Sequence, residues 1–249
     1  MAKYLKKFQN NTQYEAYTAS TVFITPNVSY CTQEGDIHYT SSSKPPTPVI
    51  RAITYSASSK LEVDLTAFTP AATAETFNGS VGKIEFNALV TAIGNGAFSG
   101  ATALTSIDMP DTVTTIGDYA FQNCSGLTSC TLGSGVTSIG QFAFTYCTSL
   151  PSVTIPDSVT SIGNGAFFMC SRLTSCTLGS GVTSIGQSAF YYCSSLTSIT
   201  VDAATPPTLG ANAFSNTNNC PIYVPSGSVE DYKTASGWSN YSSRIQEKH

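Results

Sequence analysis

The sequence predicts a mainly β solenoid, with short coils stacked on one another, a small domain ahead of them and a helical cap behind. Three observations point there. The pair Ala-Phe recurs at Ala97-Phe98, Ala120-Phe121, Ala143-Phe144, Ala166-Phe167, Ala189-Phe190 and Ala213-Phe214, spaced by 23 residues four times and then by 24. A fixed period of this size marks a unit that buries its apolar flank only against its own copies. Around each pair, Ile, Val and Leu keep fixed columns. Charged residues make up only 10% of the 249-residue chain, against roughly 25% in an average soluble domain, and Ser, Thr, Asn and Gly stand in their place.

Residues 1–43 do not fit the repeat and read as an α+β anchor domain of a helix and a hairpin. Asn11 or Thr12 caps a short helix over residues 13–17. Residues 28–31 and 37–40 alternate like paired strands around the turn-prone Gln33-Glu34-Gly35-Asp36. Residues 44–48, with three prolines, read as a stiff linker. Residues 49–80 form an irregular first coil, with strands over 49–55 and 61–65, because an array has to cover its end core with something atypical.

The repeats run over residues 81–225, starting with an incomplete copy in which Val81, Ile84, Phe86, Val90 and Ile93 point inward. In the next copy Leu104, Ile107 and Met109 face the core along a strand and Pro110-Asp111 turns the chain. Val113 and Ile116 face inward on a short second strand that Gly117 ends. Residues 118–124 then make a tight helical turn with Ala120, Phe121 and Cys124 on the core side. About eight apolar side chains per coil need a neighbour, at roughly 25 cal/mol per Å2 of apolar surface buried, so a single copy is not expected to fold alone. Residues 127–141 recur unchanged at 173–187, whereas the coils between carry Pro-Asp in place of Gly-Ser-Gly, so the duplicated unit is a pair of coils 46 residues long. Residues 226–249 close the array with a helix capped by Ser228, and Trp238, Tyr241 and Ile245 cover the open core.

Cys124, Cys147, Cys170 and Cys193 each fall three residues after the repeat Phe, while Cys130 and Cys176 share a column with Ile107, Val153 and Ile199. A residue that alternates with Ile and Val acts as a small buried hydrophobe, so free thiols are expected. Cross-links between neighbouring coils are the alternative, since stacked coils bring equivalent Cα atoms within disulfide reach. With no CxxC pair and no histidine in the repeats, no metal or cofactor site is expected.

The phrase Leu-Thr-Ser-Ile-x-x-Pro-Asp-x-Val-Thr-x-Ile-Gly-x-x-Ala-Phe-x-x-Cys, kept across residues 81–225, resembles the BspA-like bacterial leucine-rich repeats. The ending from Val224 to Tyr241, Val-Pro-Ser-Gly-Ser-Val-Glu-Asp-Tyr-Lys-Thr-Ala-Ser-Gly-Trp-Ser-Asn-Tyr, is similar to that family's closing segment. The resemblance implies a leucine-rich-repeat solenoid, right-handed and curved, with a parallel sheet on its concave side and short strands or turns behind. It also implies a non-catalytic task in adhesion at a bacterial surface. Pro26-Asn27-Val28-Ser29-Tyr30-Cys31 and Ile37-His38-Tyr39 are similar to N-terminal modules of gut-type bacteria and their phages, which implies a virion fibre or decoration protein.

Function follows by exclusion. Only His38 and His249 offer an imidazole base, and neither adjoins a nucleophile motif. Between Lys83 and Lys233 the one basic residue is Arg172, so no cationic stripe is present to follow a phosphate backbone, and nucleic acid is not an expected partner. The N-terminus lacks the apolar run of a secretory signal, and no segment has the length of a membrane span, so a virion-associated, surface or otherwise cytoplasmic protein is expected. Two surface columns remain. One runs along the main sheet through Asp108, Thr131, Thr154, Thr177 and Thr200. The other gathers Tyr119, Phe142, Tyr146, Phe168, Tyr191 and Tyr192 around the Ala-Phe turn, where the inward slots are already filled. They support an attachment module that recognises a surface protein or glycan. The competing reading is a structural component with no ligand, a trimer held through residues 1–43.

Overall fold

The computed structural model describes residues 3–7, 14–18, 30–32, 52–61, 63–86 and 88–248, which group into two compact units, Met1–Arg51 and Ala52–His249. In the first unit the strand Lys3–Lys7 pairs antiparallel with Tyr14–Thr18 on one side and Tyr30–Thr32 on the other. Residues 14–18 are therefore a strand and not the helix expected there. Two Tyr and a Thr in five positions favour an extended chain, and a helix that short has too few hydrogen bonds to offset its nucleation. Residues 37–40, the expected second arm of a hairpin, and the linker at 44–48 lie outside the described residues.

The second unit is the solenoid. Each regular coil contributes one longer strand, from Leu104–Asp108 through Ser129–Thr131, Ser152–Ile155, Ser175–Leu178 and Ser198–Val201 to Ile222–Val224. It also contributes a two-residue strand to a second sheet, from Ala92–Ile93 through Thr115–Ile116, Ser138–Ile139, Ser161–Ile162 and Ser184–Ile185 to Thr208–Leu209, parallel throughout. Between the short strand and the next long one comes the Ala-Phe segment, which is a run of turns and not a helix. Its N–H groups alternate in direction. Ala120, Gln122 and Cys124 donate locally to Gly117, Tyr119 and Phe121, while Tyr119, Phe121 and Asn123 donate across to Gln141, Ala143 and Thr145 of the following coil. Tyr119 (φ 59°) and Asn123 (φ 57°) sit in the left-handed region, which a right-handed helix cannot pass through.

The core is a column of phenylalanine rings. Phe98, Phe121, Phe144, Phe167, Phe190 and Phe214 are fully buried and stack face to face at 4.9–5.5 Å with ring planes within 18° of parallel. That separation is nearly the ~4.8 Å between hydrogen-bonded strands. Phe68 closes one end edge-on at 5.7 Å, and Trp238 closes the other at 5.6 Å. Cys124, Cys147, Cys170 and Cys193 are buried free thiols. Each donates its S–H to a Phe carbonyl of the preceding coil at 3.1–3.3 Å, and burial pushes the Cys124 thiol up to about 12.

The first coil departs from the expected columns. The strand Ala52–Ala57 inserts antiparallel between Val81–Glu85 and Leu104–Asp108, so the parallel sheet starts only at the latter. Ile84, Phe86, Val90 and Ile93 are buried as expected, but Val81 is 42% exposed, because it opens its strand at a hairpin turn. Leu61, Val63 and Asp64 do not form the strand expected over 61–65. The Asp64 carboxylate accepts from Thr66 N–H at 2.9 Å and starts a 3-10 turn, Leu65–Ala67, the local competition that Asp offers an extended backbone. At the far end Ser228 precedes the helix Val229–Thr234, but its hydroxyl donates to Ala204 O and does not cap. Tyr232 OH and Trp238 Nε1 donate to Ala203 O and Pro207 O, each at 2.7 Å. Arg244, buried, donates to Cys220 O, Phe214 O and Thr217 Oγ1.

The two-coil period has a physical cause. Asp111 and Asp157 of the Pro-Asp coils accept from Ser134 and Ser180 N–H of the next coil, both at 2.7 Å. Those hydrogen bonds hold both carboxyls below the usual carboxylate range. The clasp draws the following turn so close that a Cβ on Gly135 or Gly181 would lie 1.9 Å from the Asp111 or Asp157 carbonyl oxygen. Pro-Asp therefore requires Gly-Ser-Gly after it. Gly181→Ala should cost about 3 kcal/mol in urea unfolding, whereas Ser180→Ala, which keeps the N–H donor, should change stability by under about 0.5 kcal/mol.

The long-strand sheet is split. No main-chain hydrogen bond joins Ser129–Thr131 to Ser152–Ile155, although the short-strand sheet runs unbroken past the same point. Pro151 is the cause. Its counterparts Thr128, Thr174 and Thr197 each donate both N–H and Oγ1 to the preceding coil, and proline has neither donor. The resulting slot, about 430 Å3, is lined by Thr128, Cys130, Thr131, Leu132, Ser152 and Thr154 among others. Cys130 is half-buried there, whereas Cys176 in the same column is 2% exposed. Pro151→Thr should close the slot, raise stability by about 1 kcal/mol and slow alkylation of Cys130 in the folded protein, read by peptide mapping.

Candidate functional site

The two surface columns have different local causes. On the long-strand sheet, register aligns Asp108 with Thr131, and Thr154 with Thr177 and Thr200. The Pro151 slot separates these two groups. Asp108, Thr131 and Thr154 are exposed, and Thr177 and Thr200 are half-buried. The sequence contains other Thr columns that look alike but are used internally. Thr114, Thr137, Thr160 and Thr183 each donate Oγ1 to the preceding coil's carbonyl at 3.0–3.2 Å. Those hydroxyls lace coils together, and the Thr131 column faces outward.

Each turn has two strained positions, and four of the six aromatics, Tyr119, Phe142, Tyr146 and Tyr192, occupy them. At the first, the left-handed region is taken by Gly96, Tyr119, Phe142, Gly165, Ser188 and Asn212. At the second it is taken by Gly100, Asn123, Tyr146, Met169, Tyr192 and Asn216. Glycine and asparagine are the residues this conformation favours. A bulky residue there costs on the order of 1 kcal/mol or more. Tyr119, Tyr146 and Tyr192 are nevertheless 43%, 40% and 44% exposed, so burial does not offset that cost in full.

The rings form two patches. Tyr119 stacks on Phe142 at 5.5 Å, and Phe142 covers Gly165 so closely that a Cβ there would lie 2.3 Å from its ring. Farther along, Phe168 stacks on Tyr191 at 5.5 Å, Tyr146 meets Phe168 edge-on, and Tyr191 meets Tyr192 edge-on at 4.7 Å. Tyr119 and Phe142, and Phe168 and Tyr191, thus each turn a face to one another.

A shallow trough of about 860 Å3 runs over the short-strand sheet, lined by Ser138, Ser161 and Ser184 and by Asn95, Asp118, Gln141, Asn164 and Gln187. Sequence reasoning missed it. The signal was the polar residue after each Gly that ends a short strand, but its first role is internal, since Asn95, Asp118 and Asn164 accept from the next coil's N–H at 2.7–2.8 Å. Among the described residues, no three His, Cys, Asp or Glu side chains gather as a metal site would require, and no helix is long and apolar enough to cross a membrane. His38 and His249 lie outside the described residues.

The profile of BspA type leucine rich repeat regions matches six copies, over residues 74–197 and 125–236. The chain belongs to the BspA type leucine-rich repeat family. A comparison with curated proteins found no match. Among solved structures, the BspA-type chain is similar to the Treponema pallidum leucine rich repeat protein TpLRR (27% identity, TM-score 0.49, covering 55% of this chain and 64% of that one). It is similar to the pneumococcal vaccine antigen PcpA (18%, 0.48, 63% and 37%) and to a leucine rich cell surface protein of Faecalibacterium prausnitzii (31%, 0.42, 61% and 46%). The chain thus spans from about a third to just under two thirds of those proteins' own lengths.

Tyr146→Asn combined with Tyr192→Asn should leave stability within about 1 kcal/mol of the parent, relief of left-handed strain offsetting lost packing. Phe144→Ala, in the buried ring column, should cost about 3–5 kcal/mol. Chemical denaturation of the variants side by side checks both.

Proposed function

We propose that this BspA-type solenoid is a non-catalytic binding module that engages a protein on a cell surface through the turn edge carrying Tyr119, Phe142, Tyr146, Phe168, Tyr191 and Tyr192. One observation carries the reading. Tyr and Phe stand in backbone positions that glycine or asparagine fills elsewhere in the same columns, and the rings of Tyr119, Tyr146 and Tyr192 stay exposed. Strain accepted at an exposed aromatic residue points to a use outside the fold, and Tyr is among the residues that dominate protein interfaces.

A protein partner fits better than a glycan. Sugars use the open face of an aromatic ring, and here the faces of Tyr119, Phe142, Phe168 and Tyr191 are stacked on one another. The outward hydroxyl column of Thr131, Thr154, Thr177 and Thr200 supplies a second, weaker polar surface on the long-strand sheet. The cell-surface setting follows the family resemblance and is part of the proposal.

Binding of fluorescently labelled full-length protein to cell monolayers, with light scattering in parallel, tests the reading. The parent should be monomeric and bind. Protease treatment of the cells should abolish binding while glycosidase treatment spares it, and Tyr119→Asn/Tyr146→Asn/Tyr192→Asn should lose it at least tenfold. An oligomer that falls apart in the triple variant would instead assign the aromatics to self-assembly and overturn ligand binding.

A further inference from the structure

Asn-Gly occurs three times, at Asn78-Gly79, Asn95-Gly96 and Asn164-Gly165. Such a pair can cyclise. The Gly main-chain nitrogen attacks Asn Cγ, a C–N bond forms, Nδ2 leaves as ammonia carrying the proton lost by the Gly nitrogen, and a succinimide remains. Water then opens the ring to aspartate or isoaspartate, so an amide nitrogen is exchanged for a water oxygen with no oxidant or reductant. Two conditions favour the first step: an attacking N–H free to lose its proton, and donors aimed at Oδ1, where negative charge develops.

Two of the pairs fail the first condition. Gly96 N–H donates to Asp118 O at 2.9 Å and Gly165 N–H to Gln187 O at 2.8 Å. The Oδ1 atoms of Asn95 and Asn164 are held by Asp118 and Gln187 N–H at 2.8 Å. In both pairs the nucleophile is tied to the next coil. Asn78 differs in its nucleophile, and its Oδ1 has two main-chain donors where theirs has one. Gly79 N–H meets no main-chain acceptor among the described residues. Asn78 Oδ1 accepts from Val81 N–H at 2.9 Å and Ser80 N–H at 3.2 Å, a pair of donors placed as an oxyanion hole would place them. The turn is exposed, and a Cβ on Gly79 (φ +100°) would meet nothing within 4 Å, so water reaches it.

We propose that Asn78 is a built-in deamidation site, converting to aspartate and isoaspartate while Asn95 and Asn164 are protected by coil stacking. Asn78 sits in the hairpin joining Ala74–Phe77 to Val81–Glu85, whose register sets Phe77 opposite Gly82. Isoaspartate adds a methylene to the main chain in that turn and breaks the register, and either product adds a negative charge beside exposed Val81. The modification acts on the cap and leaves the repeats intact.

The full-length chain is held folded at physiological temperature and mildly alkaline pH, sampled over days, and mapped by mass spectrometry with separation of isoaspartyl peptides. Asn78 should convert at least about tenfold faster than Asn95 or Asn164, a difference of about 1.4 kcal/mol in barrier, and faster as pH rises. In denaturant the three rates should converge, because the dipeptide is the same. Val81→Pro removes the nearer donor at a strand's first residue, where proline is tolerated. With folding verified by circular dichroism, it should slow Asn78 several-fold and leave the other two unchanged. Equal rates at the three sites in the folded parent, or an unaltered Asn78 rate in Val81→Pro, would overturn the proposal.

Discussion

The stacking of one phenylalanine ring on the next, at close to the spacing of hydrogen-bonded strands, is the constraint from which the rest of the solenoid follows. A ring column at that pitch occupies the centre of every coil, so truncating a ring would open a void. The columns around it are narrow for the same reason. Ala beside each Phe leaves room for the ring, and Cys after it sits in the wall and gives its S–H to a Phe carbonyl that also accepts a main-chain N–H.

Close pitch also dictates what the coil edges contain. Where a turn carries an Asp that reaches forward to the next coil's N–H, the next coil has no space for a Cβ, and Gly-Ser-Gly alternates with Pro-Asp. Where the Ala-Phe turn donates alternate N–H groups sideways, the first and last of those donors, such as Tyr119 and Asn123, sit in the left-handed region. Pro151 shows the rule by breaking it. The loss of one N–H and one hydroxyl separates neighbouring long strands along their whole length, while the ring column and the short-strand sheet hold the coils in register. The two sheets are therefore not equal partners, since the core tolerates the loss of one joint on the long-strand side.

Much of this was legible in the residues. The period, the Ala-Phe column, the buried cysteines, the two strands per coil and Trp238 as a lid all rest on which side chains alternate with which, and alternation is visible without coordinates. Three features were not. The strand Ala52–Ala57 inserts between Val81–Glu85 and Leu104–Asp108, a long-range pairing that no local pattern announces. Residues 14–18 carry an apolar spacing short enough to fit either a turn of helix or a strand, and only the partner Lys3–Lys7 decides. The Thr columns look identical in sequence, yet Thr137 laces coils and Thr131 faces outward, because which lone pair a hydroxyl meets depends on the neighbouring coil. The left-handed turn positions were within reach. Gly, Asn, Tyr and Met sharing one column is a backbone signal once Gly and Asn are read as conformational residues.

That last column also separates the scaffold from what it presents. Residues 127–141 and 173–187 are identical, and the identity ends at Gln141 and Gln187, at the entrance to the Ala-Phe turn. Beyond it the inward residues stay the same, Ala143 with Ala189, Phe144 with Phe190 and Cys147 with Cys193. Of the outer positions, exposed Tyr146 and Tyr192 match and Phe142 stands against Ser188, while buried Thr145 stands against half-buried Tyr191. The ring column cannot account for Phe142 against Ser188, since it is as tight at Phe144 as at Phe190. Nor can backbone conformation, since Phe142 and Ser188 share the same left-handed geometry. Phe142 also stacks on Tyr119 and covers Gly165, contacts that Ser188 does not make, and the stacked core is what permits that edge to change one coil at a time.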